Sequence, residues 1–299
     1  MAETTIQSAS SLPPVLTRPG RLANLWQTSR RKPVGAIAGA ICLLLIAIAI
    51  FADGIAPHAP DSIDHPRLVG PSLSHPFGTD NLFRDIFSRV LIGSQISIGI
   101  GFASVAIGTV AGTLMGLVAG YFAGKVDLVV ARVMDVILGI PPLVLAIFFL
   151  TIWEPSFISV SVAIGLIITP TTARIVRGSV LSIRTLQYIE AAEAIGNNST
   201  RIMFRHVLPN VVAPIIVIAS IQIGNAILAE AALSFLGLGV ASDTAPSWGK
   251  MLQDSRQYWE THWWVAVFPG AAISLAVLSF NLFGDALRDV LDPRLRGTA

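Results

Sequence analysis

The chain contains six apolar stretches of about 20 residues each, and these constrain its fold more than any other feature. They occupy residues 34–52, 96–121, 128–152, 157–175, 211–236 and 263–283. A helix of about 20 apolar residues is long enough to cross the hydrocarbon core of a bilayer. A membrane β-barrel would instead show short segments of alternating polarity. The sequence therefore predicts an all-α polytopic membrane protein with six transmembrane helices.

The apolar stretches also divide the chain into parts. We expect a flexible N-terminal tail over residues 1–33 and a first transmembrane helix over 34–52. A polar segment over 53–92 follows, and a core with five further transmembrane helices covers residues 93–296. Charged residues make up only 13% of the chain, about half the share in a typical soluble protein, because the apolar stretches exclude them.

Lys and Arg are distributed unequally between the two sides of this predicted helix bundle. Six spans place both termini on one side, and fifteen of the 20 Lys and Arg residues lie on that side. Segments rich in Lys and Arg stay in the cytoplasm during membrane insertion. We therefore expect both termini in the cytoplasm and the 53–92 segment outside it.

A polar segment, residues 187–210, interrupts the apolar half of the chain, and we call it the 187–210 loop. Apolar residues at every third position from Leu186 to Ile195 predict an amphipathic helix of about three turns. Gly196 then breaks this helix, because glycine accepts the left-handed conformation of a helix C-cap. A second, short helix over 200–207 is expected, capped by Asn198 or Ser199 and stopped by Pro209. From these residues alone, a simple connector between two spans is an equal alternative.

Several motifs resemble one family. Glu-Ala-Ala at 190–192, Gly196 and Leu208-Pro209 resemble the signature of ABC-importer permeases, although His206 stands where that signature has an aliphatic residue. Four further stretches are similar to the second permease subunit of dipeptide and oligopeptide importers. They are HPFGTDNLFRDIFSRVLIGSQIS at 75–97, EAALSFLGLG at 230–239, PSWGKML at 246–252 and NLFGDALRDVLDPRL at 281–295.

The resemblance implies the type I ABC importer permease fold, with the 187–210 loop docking on an ATP-binding subunit. The residues implied to couple to that subunit are Glu190, Ala191, Ala192, Gly196, Ser199, Arg201, Phe204, Arg205, Leu208 and Pro209. The sequence has no G-x-x-x-x-G-K-[ST] phosphate-binding loop. ATP and Mg²⁺ are therefore expected on partner subunits, with no cofactor or catalytic residue on this chain.

The family also implies partners, a location and a substrate class. The expected partners are a sibling permease, two ATP-binding subunits or domains, an extracytoplasmic solute-binding protein and membrane lipid, with no nucleic acid. The expected location is the bacterial inner membrane. Short peptides are the expected substrate, with glutathione or a nickel chelate as alternatives. An ion-coupled secondary transporter is the alternative from another class.

Two acidic residues within predicted spans could serve a pathway or a structural role, since ionisable groups at membrane depth are often functional. Asp135 lies three residues after Arg132, so the two can pair on one helix face. Glu230 lies near the outer end of its span and could brace the polar segment that follows. An ion-coupled transporter would be sensitive to neutralisation of Asp135 or Glu230.

Histidines and tryptophans cluster in the predicted outer segments. His58, His65 and His75 are spaced by seven and ten residues, which matches no compact ligand motif. We therefore expect solvated histidines and no metal site. A cluster of tryptophans surrounds the start of the sixth span and is expected to form an interfacial belt. Its members are Trp248, Trp259, Trp263 and Trp264. Docking of a binding protein is a possible second role for Trp248.

Overall fold

A computed structural model describes residues 33–240 and 245–291, and within those ranges the chain is helical with connecting loops. The helices are α1 (Pro33–Ile55), α2 (Ile86–Phe122), α3 (Gly124–Leu138), α4 (Pro142–Ile152), α5 (Phe157–Arg184), α6 (Gln187–Ala194), α7 (Ser199–Ile202), α8 (Leu208–Phe235), α9 (Trp248–Ser255) and α10 (Trp264–Leu291). A five-residue π-helical turn, Met203–Val207, joins α7 to α8. The predicted tail lies outside the described residues except for Pro33, as does the end of the predicted core after residue 291.

The described residues contain five helical runs long and apolar enough to span a membrane, or six if α3 and α4 together form one span. The predicted third span, 128–152, is not one continuous helix, because α3 and α4 meet at an angle of 89°. Pro141 and Pro142 account for the break. Proline disfavours helical geometry in the residue before it, and Pro142 has no N–H to continue the hydrogen-bond ladder.

Helix α2 begins ten residues before the predicted second span and includes polar residues in its first turns. Its N-cap is Asp85, whose carboxylate accepts a hydrogen bond from the backbone N–H of Ser88 at 2.8 Å. A capped helix can extend beyond the bilayer core, since capping satisfies free backbone donors that lipid could not. Hydropathy alone therefore detected the apolar part of α2 and missed its start.

Helices α2 and α5 form the centre of the bundle and pack with their backbones in close contact. Four glycines of α2, at positions 108, 112, 116 and 120, face α5 along its length. A Cβ on Gly112 would lie 2.6 Å from the carbonyl oxygen of Thr169, and one on Gly116 would lie 2.5 Å from that of Ala173. Small residues at four-residue spacing allow membrane helices to approach this closely. The predicted burial of this glycine-rich span is thus confirmed.

The two ends of the bundle carry different structures. One end holds the 187–210 loop together with the α2–α3 junction. If α3 and α4 together form one span, the chain crosses the bundle six times, and the segment 56–85 and helix α9 lie at the opposite end. The segment 56–85 folds over the start of α2, where Arg89 Nη1 donates to the carbonyl oxygen of Pro60 at 2.7 Å. We call residues 56–85 the histidine segment, because it contains three of the five histidines of the chain.

Candidate functional site

The 187–210 loop has a rigid turn at its centre. Helix α6 ends at Ala194, and Gly196 adopts a positive φ of 83°. The Gly196 N–H donates to the carbonyl of Glu193 at 2.9 Å, and the Asn197 N–H donates to the carbonyl of Ala192 at 3.3 Å. This pair of bonds is a Schellman motif, which fixes the direction of the chain after a helix. The predicted break at Gly196 is confirmed.

The second arm of the loop starts from a side-chain cap. The Asn198 side chain accepts a hydrogen bond from the Arg201 N–H at 2.8 Å and so caps α7. This is one of the two predicted capping residues. The Arg201 guanidinium also donates to the side-chain oxygen of Asn197 at 3.3 Å. The turn and the cap together fix the path of the chain between the two arms.

The two arms rest on a buried apolar base. Ile189 and Ala192 of α6 are buried, and so are Ile202, Met203 and Val207 of the second arm. They pack against residues near the ends of α2, α5 and α8, namely Leu117, Tyr121, Val176, Val180 and Val211. A base of this kind holds both arms in a fixed position relative to the transmembrane helices.

The predicted apolar stripe of α6 is buried only in its middle. Leu186 and Ile195 are exposed, Ile195 to 80%, so the prediction of one continuous apolar face is wrong at both ends. The reason is geometric. A helix turns 100° per residue, so positions nine residues apart differ by half a turn. Helix α6 has eight residues rather than three full turns, and Ile195 lies beyond its end.

Pro209 does not stop the second arm, contrary to prediction. Residues from Ser199 to Phe235 form one helical run, in which Pro209 occupies the first turn of α8. The π-helical turn before it lets the Leu208 N–H bond to the carbonyl of Met203, five residues back. This wider turn accommodates a ring that an α-helix interior would exclude. The second arm is therefore the end of a transmembrane helix.

Most of the residues implied to couple to a partner lie at the surface. Those that are exposed are Glu190, Ala191, Gly196, Arg201, Phe204, Arg205 and Pro209, while Ser199 and Leu208 are half-buried. Ala192 is buried in the apolar base and contributes packing. Exposed Ile195 and Phe204 add apolar surface beside the arginines. The sequence did not single out Ile195 as exposed, because its spacing placed it on the buried stripe.

Two polar contacts attach the loop end to the bundle, and no sequence pattern indicated either of them. The Tyr121 hydroxyl donates to Glu193 Oε1 at 3.1 Å, joining α2 to α6. The Arg177 guanidinium makes a two-point contact with the Asp127 carboxylate, with Nη2 to Oδ2 at 2.6 Å. That contact joins α5 to the first turn of α3. A two-point contact of this kind fixes orientation as well as distance.

The two membrane-depth acids have different surroundings. The predicted pairing of Asp135 with Arg132 is wrong. Asp135 instead accepts a hydrogen bond from Arg174 Nη2 of α5 at 2.6 Å, because the packing of α3 against α5 brings the Arg174 side chain within reach. Glu230 is fully buried, and its Oε1 accepts from the Ser234 hydroxyl at 2.6 Å. Ser234 in turn lies 3.3 Å from the hydroxyl of Ser247, the N-cap of α9.

Trp248 is not part of an interfacial belt. It is 1% exposed, its Nε1 donates to the Val90 carbonyl at 2.9 Å, and its backbone N–H donates to Ser97 Oγ at 3.1 Å. A buried side chain with a satisfied indole N–H is a packing anchor, so docking of a binding protein on Trp248 is also excluded. Trp259 and Trp263 are more than half exposed, as a belt requires.

The expectation of separate, solvated histidines in the histidine segment is wrong. The rings of His58, His65 and His75 lie within 6 Å of one another, and His75 is buried. Folding of the segment, rather than sequence spacing, brings them together. The 187–210 loop lies at the other end of the bundle from this cluster.

Together, the helical bundle and the glycine-lined α2–α5 contact define a multi-pass membrane protein, with a rigid polar loop at one end. A family model described as binding-protein-dependent transport system inner membrane component matches residues 112–297, more than half of the chain. A second model, the N-terminal TM domain of oligopeptide transport permease C, matches residues 20–76. The chain belongs to this family of importer permeases, which are multi-pass proteins of the bacterial inner membrane.

Three curated relatives are permease proteins of peptide or glutathione transport systems. The chain is 45% identical over 273 residues to the glutathione transport system permease protein GsiD of Pectobacterium atrosepticum, covering 91% of this chain and 90% of the relative. It is 44% identical to the dipeptide transport system permease protein DppC of Alkalihalophilus pseudofirmus, covering 87% and 86%. It is 41% identical to the probable D,D-dipeptide transport system permease protein DdpC of Escherichia coli K12, covering 92% of each.

Solved structures match the fold. One inward-facing structure of the MetNI methionine ABC transporter gives a TM-score of 0.58 at 19% identity, covering 69% of this chain and 98% of that chain. An amino acid ABC transporter gives 0.52 at 17% identity, covering 69% and 95%. The predicted type I permease fold is therefore confirmed. The family match and the curated relatives show that the chain is a permease subunit of an ABC importer.

Proposed function

We propose that this chain and a sibling permease form a pathway for short peptides, and that the 187–210 loop transmits the work of ATP-binding subunits to it. An extracytoplasmic solute-binding protein delivers the substrate, and ATP and Mg²⁺ bind on the partner subunits. The observation that carries the proposal is the loop itself: a Schellman turn on a buried base that presents Ile195, Phe204 and Arg205 to solvent.

The loop is suited to transmit motion because it is continuous with a transmembrane helix. Its second arm and α8 form a single helical run from Ser199 to Phe235. A displacement of that arm therefore moves the end of α8 directly, whereas a flexible connector would absorb the displacement. On its other side, the Tyr121–Glu193 hydrogen bond couples α6 to α2. A partner that moves the loop acts on two spans at once.

Short peptides are the substrate class that the relatives support. The relatives at 41–45% identity are named for dipeptides and for glutathione, a tripeptide. The pathway need not distinguish these cargoes closely, since the binding protein selects the substrate before delivery. Dipeptides are the first substrates to test and glutathione the second.

The docking role can be tested with variants of exposed residues. We expect Phe204→Ala combined with Arg205→Ala to lower ATPase stimulation by about tenfold or more, since loss of central aromatic and Arg contacts typically costs over 1 kcal/mol each. The measurement uses the complete transporter in nanodiscs, with binding protein and dipeptide added. Matched controls are Phe51→Ala on α1 and Arg132→Ala on α3, both at exposed positions outside the loop.

The result contradicts the proposal if the double variant copurifies with its ATPase subunits and is stimulated like wild type. Substrate uptake provides the second measurement, with labelled dipeptide and labelled glutathione in cells that carry the whole transporter. Uptake that stops on ATP depletion supports the proposal. Uptake that survives ATP depletion and stops with a protonophore would contradict it and favour the ion-coupled alternative.

A further inference from the structure

The histidine segment gathers three imidazoles around one carboxylate at the start of α2. The ring centroids of His58 and His65 lie 4.5 Å apart, those of His65 and His75 lie 4.9 Å apart, and those of His58 and His75 lie 5.8 Å apart. Asp85, the N-cap of α2, lies beside them and is 1% exposed. These four residues come from 28 positions of sequence and meet only in the folded segment.

The Asp85 carboxylate is held in place from two sides. Its Oδ2 accepts hydrogen bonds from the Ser88 N–H at 2.8 Å and from the Ser88 hydroxyl at 2.7 Å. Its Oδ1 lies 3.0 Å from His75 Nδ1. These contacts fix the orientation of the carboxylate beside the imidazole rings, with lone pairs still available.

Two imidazole nitrogens of the cluster are buried and have no hydrogen-bond partner. They are His58 Nδ1 and His65 Nε2. His58 Nδ1 lies 3.7 Å from Asp85 Oδ2, which is too long for a hydrogen bond. An unsatisfied buried polar atom costs about 1–3 kcal/mol, and three protonated imidazoles this close would repel one another. Neither protonation state explains why the segment brings these rings together.

The spacing of the nitrogens and oxygens matches that of metal ligands. Two ligands of a tetrahedral zinc ion, each about 2.0–2.1 Å from the metal, lie about 3.3 Å apart. The observed separations of 3.0 Å for His75 Nδ1 to Asp85 Oδ1 and 3.7 Å for His58 Nδ1 to Asp85 Oδ2 fall on either side of that value. One ligand atom from each of His58, His75 and Asp85 can be chosen so that all lie within 4.8 Å of one another.

We propose that His58, His75 and Asp85 bind a zinc ion, and that this ion fastens the histidine segment to the start of α2. Two imidazoles and one carboxylate suit Zn²⁺, which can take three protein ligands and keep its fourth position for water. The ion satisfies the unpartnered His58 Nδ1. The site revises the expectation, drawn from sequence spacing, that the segment holds no metal.

The site would act as a clip on the fold. It joins residues at positions 58 and 75 to residue 85, and so closes the segment over the capped helix end. The segment also contacts the rest of the bundle, since Trp264 Nε1 of α10 donates to the Thr79 carbonyl at 3.3 Å. A ligand that binds only the folded state stabilises it in proportion to the logarithm of its concentration over its Kd.

The test measures zinc binding by the complete transporter, purified in detergent and stripped with a chelator. We expect one Zn²⁺ per copy of this chain, and Co²⁺ in its place to give the visible absorption of a tetrahedral site. His58→Ala and His75→Ala should each weaken binding by more than about 100-fold, beyond the 10–100-fold effect of an outer-shell partner. His262→Ala is the matched control, because His262 contacts Trp264 and lies outside the cluster.

Thermal unfolding with and without zinc separates metal binding from misfolding. Zinc should raise the midpoint of the stripped wild type and of His262→Ala, and leave His58→Ala and the polar variant His58→Gln unchanged. Without zinc, all four proteins should unfold at similar temperatures. The proposal is overturned if the stripped wild type takes up no Zn²⁺ in excess metal, or if the cluster variants bind it as tightly as His262→Ala does.

Discussion

Gly196 shows how much a single backbone conformation decides in this protein. Its φ of 83° lies in the left-handed region, and no atom lies within 4 Å of the position where a Cβ would stand. A side chain at residue 196 therefore meets no steric obstacle except its own backbone. For a residue other than glycine, the left-handed conformation costs about 1–2 kcal/mol.

We expect Gly196→Ala to loosen the turn and to lower ATPase stimulation while the protein remains in the membrane. A cost of about 1–2 kcal/mol corresponds to a 5–30-fold change in the population of the closed turn. Hydrogen exchange of the amides in residues 187–210 should accelerate by about that factor. Gly178→Ala is the control, because Gly178 also has open space around its Cβ position and lies in α5 with an ordinary helical φ. Unchanged exchange in Gly196→Ala would show that the Schellman turn does not hold the loop.

Other residues show where local sequence is insufficient. Gly196 and Asn198 were predictable because C-caps and N-caps depend on the conformational preferences of one or two residues. The burial of Trp248 was not predictable, because its indole N–H donates to the carbonyl of Val90, which lies 158 positions away in the sequence. The histidine cluster was missed for the same reason: sequence spacing does not reveal how a proline-rich segment folds back on itself.

Among the helices, α2 and α5 are the pair whose packing depends most on small residues. A Cβ on Gly116 would stand 2.5 Å from the carbonyl oxygen of Ala173 and 2.8 Å from Val176 Cβ. The first of these is backbone and cannot move without shifting α5. Extra volume in a close-packed interior typically costs about 1–3 kcal/mol.

We therefore expect Gly116→Ala to lower the thermal unfolding midpoint by several degrees, at about 2–4 °C per kcal/mol. The measurement is the fraction of monodisperse transporter after heating in detergent. The control is Gly54→Ala in α1, where nothing lies within 4 Å of the added Cβ. A midpoint equal to that of the control would show that α2 and α5 separate easily and that their contact does not organise the bundle.

The lengths of the apolar stretches predicted where the membrane-spanning helices lie, but not where each helix begins and ends. Apolar length indicated the spans, because crossing a bilayer requires it. It did not locate the start of α2, which depends on the Asp85 cap, nor the bend between α3 and α4, which depends on Pro141 and Pro142. The continuation of α7 into α8 through a π-helical turn was unpredictable from Pro209 alone, since proline more often ends a helix than follows such a turn.

At the scale of the whole molecule, the unequal distribution of Lys and Arg predicts its orientation. Fifteen of 20 lie on the side of the termini and the 187–210 loop, and such segments are retained in the cytoplasm. Impermeant labelling can test this, because the chain has one cysteine, Cys42, and it is buried. In a Cys42→Ala background, Leu73→Cys and Ile195→Cys place single thiols at two highly exposed positions at opposite ends of the bundle.

We expect an impermeant maleimide to label Leu73→Cys in intact spheroplasts and Ile195→Cys only after permeabilisation. The reverse pattern would place the 187–210 loop outside the cell, where it could not meet an ATP-binding subunit. The same Ile195→Cys variant also reports docking. Expressed without its ATPase subunits it should label fully after permeabilisation, and with them it should be protected, because a residue 80% exposed in the isolated chain becomes covered at an interface. Leu73→Cys should label equally in both cases, which separates protection by a docked subunit from a general loss of reactivity.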